Sequence, residues 1–265
     1  VCAAGVRVWG GLAGLWWMDR DGVARAVRGK VEILAHSRPT GVRAVATGRV
    51  RKVDATVVLT VGSGCNIGKM TSALQLRDGL KARDRKVRFA GTGQTGILIE
   101  GWGIGVDAVI ADFIAGAAEK LVLDASHGAE IVLVEGQGSI IHPGYSGVTL
   151  GLIHGSLPHA MVMCAQPSRT HINNNPWITI PPLPELIRMH EMLVKHLRPA
   201  PVIAVSLNTY DLSVRAARAS IAKTQRQTGL PTTDPVRFDP EPVVEAIDAF
   251  HRKRVRAMAR RERSR

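Results

Sequence analysis

From Asp54 onward the chain alternates between short, nearly unbroken apolar runs and longer stretches whose apolar residues recur every three or four positions. The runs lie at 55–61, 87–90, 131–134, 160–164 and 202–207, a strand's length each. Amphipathic helices are expected between and after them, at 70–82, 106–120, 183–197, 213–227 and 241–261. Strands apolar on both faces and separated by helices imply an α/β fold with a mostly parallel sheet covered by helices on both faces. Ligands of such sheets bind beyond the carboxyl ends of the strands, so the residues following each run carry the most information.

The first fifty residues read differently. A short helix at 22–27 and a strand at 31–35, closed by Pro39 and Gly41, look like the tail of an N-terminal α/β segment, joined by a basic linker at 43–52 to a main domain over 51–265. The chain starts at Val1, and its apolar opening, with Trp16 and Trp17, has no basic segment ahead of it, carries Arg7 inside it and lacks a small-residue cleavage site before Asp19. A truncated N-terminus is expected rather than a signal peptide. The Asn- and Pro-rich segment 166–184 reads either as a loop covering the substrate or as an ordered surface excursion.

Composition narrows the picture further. The net charge of +13 invites a nucleic-acid reading, but residues 251–265 hold eight Lys/Arg against one Glu. More than half of the excess is therefore a C-terminal basic helix end, which suits the helix dipole, and nucleic-acid binding is not expected. Cys2, Cys65 and Cys164 are far apart and show no metal-ligand spacing, which suits a reducing, cytoplasmic setting. Charged or Gly/Pro-rich segments interrupt every apolar candidate, so no membrane span is expected.

The strongest chemical signal follows the first run. In TVVLTVGSGCNIGKMT, Gly62, Gly64 and Gly68 free backbone N–H groups to point inward, a helix N-terminus adds positive potential, and Lys69 reaches outer phosphate oxygens. Five residues rather than four separate Gly62 from Gly68, and Met70 stands where a magnesium-binding hydroxyl belongs, with Thr71 one place later. Cys65 sits in this loop near the helix N-terminus, where a lowered pKa is expected. The second run ends in GTGQTGI, whose glycines admit a ligand while Gln94 and Thr95 offer neutral donors and acceptors. Asp112 falls on the apolar side of the helix expected at 106–120, a candidate for a metal, ribose or amine contact.

The third run ends in VEGQGSIIHPGYSG. Glu135, directly after a buried strand, is placed to hold Mg²⁺ directly or through water, or to orient a nucleophile. His142, Tyr145 and Ser146 cluster in the loop beyond it, with His142 either a general base or a hydrogen-bonded anchor. Arg169, after the fourth run, is either a carboxylate or phosphate clamp or a surface ion-pair partner. Asn208, after the fifth, stands where an amide reads a base or fixes a loop.

Taken in order, GSGCNIGKMTSAL, GTGQTGI, VDAVIADFIAGAAE, VEGQGSIIHPGYSGVTLGLIHGSLPHA, SLNT and TGLPTTDPVRF resemble the D-glutamate N-acetyltransferase-like P-loop family, over residues 40–245 or so. More distantly, the long loop and the Val-Glu-Gly strand end resemble dethiobiotin synthetase. The resemblance implies a P-loop NTPase-like fold preceded by a remnant of a Rossmann-like domain. It marks Lys69, Gln94, Asp112, Glu135, His142, Tyr145 and Ser146, and departs from the family at Gly64, where an acid is usual.

The activity it implies is acetyl transfer from acetyl-CoA to the amine of D-glutamate or a similar acidic amino acid. Lys69, Glu135 and His142 would be catalytic. The loop from Gly62 to Thr71 would hold the cofactor with Asn208, and Gln94, Thr95, Asp112, Tyr145, Ser146 and Arg169 the substrate, in a homo-oligomer. Two alternatives stay open: an ATP-dependent ligase or carboxylase with Mg²⁺ on Thr71 and Glu135, and a non-catalytic nucleotide-binding module.

Overall fold

The computed structural model describes residues 42–263. The expected helix at 22–27, strand at 31–35 and Rossmann-like remnant lie outside the described residues. The chain divides into the units Val1–Val42 and Arg43–Arg265, and the second is described below.

In chain order its strands are β1 (Thr56–Gly62), β2 (Val87–Ala90), β3 (Ile131–Val134), β4 (Ala160–Ala165), β5 (His171–Ile172), β6 (Asn175–Thr179), β7 (Val202–Leu207) and β8 (Thr232–Thr233). The α-helices are α1 (Lys69–Lys81), α2 (Gln94–Glu100), α3 (Ile114–Ala125), α4 (Ser146–Ser156), α5 (Leu183–Val194), α6 (Val214–Thr228) and α7 (Glu241–Arg263). Six strands form one sheet in the order β2-β3-β1-β4-β7-β8, and all its pairings are parallel.

Alternation along β1 shows how both faces are covered. Val57, Leu59 and Val61 join Leu121 of α3, Ile153 of α4 and Leu186 of α5 in one core, while Val58 packs with Leu76 and Leu80 of α1 and Val243 and Ile247 of α7 in another. Helices on opposite faces follow from right-handed crossovers, because the chain steps one way from β1 to β2 and the other way through β3, β4, β7 and β8. That reversal at β1 puts the phosphate loop at the topological switch point.

One expectation is corrected here. The helix expected at 106–120 starts only at Ile114, after separate 3₁₀ turns at Val106–Ala108 and Ala111–Phe113, because Val109 and Ile110 have extended backbone (ψ 141° and 137°). The basic segment 43–52 packs on the domain: Val50 is buried, and the backbone N–H of Thr47 donates to the buried carboxylate of Glu119 on α3 at 2.7 Å. The basic C-terminal segment is helical as expected, with Arg252 paired to Asp248 at 2.7 Å and His251 Nδ1 2.8 Å from Thr56 Oγ1. Among the described residues no helix is long and apolar enough to cross a membrane.

Candidate active site

The loop between β1 and α1 is shaped by close approaches that leave no space for side chains. A Cβ on Gly62 would lie 2.5 Å from Ile67 Cδ1, and Gly68 takes the left-handed conformation (φ +94°) that launches α1. Lys69, only 7% exposed, passes beside Gly62 and Gly136 and donates to the carbonyl of Gly64 at 2.7 Å. Burial lowers its pKa, the largest cause, while the nearby thiols and Glu135 act the other way. Among the described residues it belongs to no ion pair. A buried ammonium resting on one neutral carbonyl suits an anion, so the loop fits the phosphates of a nucleotide-type cofactor.

Met70 does not face that anion site. Its side chain packs against Ala73, Leu74 and Phe89, so the position one after the lysine supplies apolar contact instead of a metal ligand. Thr71 is half-buried on the first turn of α1. Cys65 is corrected from the sequence reading: burial pushes its thiol up, against the lowering effect of Lys69 and Arg169. The loop is held from outside by Arg169, whose Nη1 donates to the Cys65 carbonyl at 2.6 Å, and not by a surface ion pair. Asn208, anchored by its N–H on the Ala165 carbonyl (2.8 Å), lies against Gly68, 3.7 Å from where a Cβ would stand.

Glu135 emerges at the end of β3 between the loops that leave β2 and β1. The parallel register pairs Ala90 with Val134 and Leu59 with Val134, so the next residues of all three strands meet at one edge. Its carboxylate is 3% exposed, and Oε2 accepts the backbone N–H groups of Thr92 (2.8 Å) and Gly93 (3.0 Å). Burial nevertheless raises its pKa, outweighing those two bonds and the positive charge of Lys69. Thr92 completes the frame, giving its hydroxyl proton to the Glu135 carbonyl (2.8 Å) and accepting from Gln137 Nε2 (3.1 Å).

The other candidates divide. Gln94 and Thr95 open α2, a helix not among those expected from the sequence; Gln94 is half-buried and Thr95 exposed. Tyr145 and Ser146 open α4, with their N–H groups on the His142 carbonyl (3.3 and 3.0 Å). His142 is 8% exposed and stacks with Tyr145 at 4.6 Å between centroids. Its Nδ1 accepts from the Gly144 N–H at 3.1 Å, so the neutral ring carries its proton on Nε2 and presents a donor there. Asp112 is exposed on a 3₁₀ turn and not on the apolar side of a helix, so the argument from its helix face falls and only the resemblance marks it.

Residues 44–244 match the family described as a domain of unknown function (DUF1611_C), P-loop domain. The chain belongs to that family. It is 39% identical over 202 residues to a D-glutamate N-acetyltransferase of Pseudoalteromonas sp, covering 76% of this chain and 60% of that protein. It is 41% identical over 192 residues to a D-glutamate N-acetyltransferase of Tritonibacter scottomollicae, covering 72% of this chain and 57% of that protein. The chain thus spans under two thirds of the length of these two relatives. A crystal structure of a DUF1611 family protein from Anabaena variabilis superposes with a TM-score of 0.86 at 39% identity, over 94% of this chain and 73% of that one.

Within the family domain, the residues that sequence reasoning missed are Thr92 and Gln137. Both sit inside motifs already marked by glycines, but only the strand register shows that they frame Glu135.

Proposed function

We propose that this P-loop domain belongs to an N-acyltransferase that moves an acetyl group from acetyl-CoA to the amine of D-glutamate or a similar acidic amino acid. The observation that carries this reading is the pairing of a buried Lys69 that belongs to no ion pair with a buried, pKa-raised Glu135 at the carboxyl end of the sheet, in a chain about 40% identical to two proteins named D-glutamate N-acetyltransferase. Acetyl-CoA would supply a thioester and the phosphates that the loop is built to hold. The backbone N–H groups of residues 62–68 and the Lys69 ammonium bind those phosphates.

Glu135 takes the proton from the attacking amine as the N–C bond forms, and the C–S bond breaks to release the CoA thiol. A carboxyl whose pKa is raised by burial is a stronger base than a solvated one, and its Oε1 is not engaged by the backbone donors that hold Oε2. His142, presenting Nε2–H, serves as a donor to the substrate or to the leaving group. The second reading, ATP- and Mg²⁺-dependent ligation with the metal on Thr71 and Glu135, is favoured by the same Oε1 and opposed by the apolar placement of Met70.

The test is release of free thiol from acetyl-CoA by the purified chain against a panel of D- and L-amino acids. Release that requires D-glutamate or a close analogue supports the reading. Formation of ADP from ATP in the presence of such a substrate, without thiol release, would replace it with the second.

A further inference from the structure

Two side-chain oxygens at the carboxyl end of the sheet are left without a donor, and they belong to neighbouring residues. Glu135 Oε1 is one, since the N–H groups of Thr92 and Gly93 are both spent on Oε2. Gln137 Oε1 is the other. Among the described residues neither oxygen accepts a hydrogen bond, and neither is sealed in: the fully buried side-chain atoms without a partner belong to Trp102, Ser156, Gln166 and His190. A Cβ on Gly93 would lie 2.6 Å from Gln137 Nε2 and 3.4 Å from both Gln137 Cδ and Glu135 Oε1, so the amide and the carboxylate meet over one glycine.

The orientation of that amide is fixed by its surroundings. Thr92 gives its hydroxyl proton to the Glu135 carbonyl and so accepts from Gln137, which puts Nε2 on Thr92 at 3.1 Å and turns Oε1 away as an acceptor. The Gln137 main chain is held as well, because its carbonyl accepts from Thr149 Oγ1 of α4 at 2.8 Å. Half-buried and held at both ends, Gln137 presents one fixed acceptor beside a carboxylate that presents another. Paired acceptors without a donor suit a ligand group that carries two N–H bonds. Among the described residues no three His, Cys, Asp or Glu side chains gather to hold a metal, which favours such a group over Mg²⁺ as their occupant.

We infer that Glu135 Oε1 and Gln137 Oε1 together receive the attacking amine, and that Gln137 sets its direction of attack. The inference rests on the acyltransferase reading of this site. A neutral primary amine has two N–H bonds: one is directed at Glu135 Oε1 and the other at Gln137 Oε1, which leaves the nitrogen lone pair a single direction, toward the thioester carbon. Glu135 takes its proton as the N–C bond forms, and that proton ends on the CoA sulfur as the C–S bond breaks. Gln137 thereby selects primary amines, because each N-alkyl group removes an N–H that the paired oxygens are placed to accept.

The experiment uses the full chain and Gln137→Met, which matches the side chain in length and lacks the acceptor. D-glutamate and N,N-dimethyl-D-glutamate, whose ammonium keeps one N–H, are titrated by calorimetry in the presence of CoA. The natural chain should bind the dimethylated amino acid about tenfold more weakly. In Gln137→Met, checked for an unchanged melting temperature, D-glutamate should weaken by about the same factor while the dimethylated amino acid stays within twofold, so that the gap closes. Thiol release from acetyl-CoA with D-glutamate should fall further, by about a hundredfold, with acetyl-CoA affinity within twofold. Equal affinity of the natural chain for the two amino acids, a gap that persists in Gln137→Met, or Mg²⁺ that binds alone to the natural chain and is lost in Gln137→Met would overturn the inference. A gap that depends on Gln137 without any thiol release would leave the amine site standing and remove the acyltransferase reading alone.

Discussion

Arg169 donates through Nη1 to the backbone carbonyl of Cys65 at 2.6 Å, so the segment leaving β4 grips the phosphate loop by its main chain. The bond links the loop that holds phosphate to the root of the β5–β6 hairpin. Arg169→Ala should therefore weaken acetyl-CoA binding about tenfold and lower stability by about 1.5 kcal/mol, the usual cost of losing a hydrogen bond from a charged donor. Arg169→Lys should recover less than half of the affinity, because an ammonium lacks the guanidinium fork. Calorimetry and urea unfolding measure the two effects.

Gly96 sets intrinsic propensity against packing. Alanine in a helix interior is favoured over glycine by about 1 kcal/mol, yet a Cβ on Gly96 would lie 2.3 Å from Glu135 Oε2 and 2.9 Å from its Cδ. The contact wins, because the carboxylate is itself fixed by the N–H groups of Thr92 and Gly93. Gly96→Ala should destabilise the domain by about 1–3 kcal/mol and reduce thiol release more than tenfold. A more stable variant in urea unfolding would show that Glu135 is free to move aside.

How far the sequence carries can be judged from such positions. The strands Ile131–Val134 and Val202–Leu207 follow their apolar runs residue for residue, because buried parallel strands need apolar side chains on both faces, and Val87–Ala90 does so at the sheet edge with Arg88 exposed. The helix α2 was not legible: Gly96 and the branched Thr95, Ile97 and Ile99 are weak helix formers, and tertiary contact around Glu135 overrides that local preference. Lys69 and Glu135 stood out because a phosphate loop and a strand-end acid are local patterns. Thr92 and Gln137 did not, since their roles depend on contacts between segments more than forty residues apart.

Met70 offers a test of the departure from the usual loop. Replacing it by threonine removes an apolar side chain from the cluster with Ala73, Leu74 and Phe89. The variant should lose about 1–2 kcal/mol in urea unfolding, in line with partial loss of a buried side chain. It should leave affinity for ATP, measured by calorimetry with and without Mg²⁺, within twofold of the natural chain's, because the side chain at 70 faces that cluster and not the anion site.

Acid sensitivity should come from buried neutral histidines. Burial, aided by Arg198 and Arg254, takes His159 from 6.5 to about 2, and its Nδ1 accepts the Val57 N–H at 3.0 Å. A depressed folded pKa gives stability that is complete above 6.5 and lost as pH falls toward 2, because the unfolded chain takes up the proton first. Between pH 6.5 and pH 5 the loss should be about 2 kcal/mol for this residue. Urea unfolding of His159→Gln, which keeps an acceptor for Val57, should show a flatter dependence over that range. Glu135 acts in the opposite sense: its raised pKa costs stability as pH climbs above 4.5, so Glu135→Gln should gain relative to the natural chain toward neutral pH.

The central claim is that Lys69 and its loop hold the phosphates of acetyl-CoA. The most direct measurement is the melting temperature of the chain with acetyl-CoA in the absence of Mg²⁺, beside the same measurement on Lys69→Ala and with Mg-ATP. A ligand at a hundred times its Kd stabilises the folded state by about 2.7 kcal/mol. Acetyl-CoA should therefore raise the melting temperature by several degrees, and the rise should vanish in Lys69→Ala. A rise with Mg-ATP alone, and none with acetyl-CoA, would contradict it.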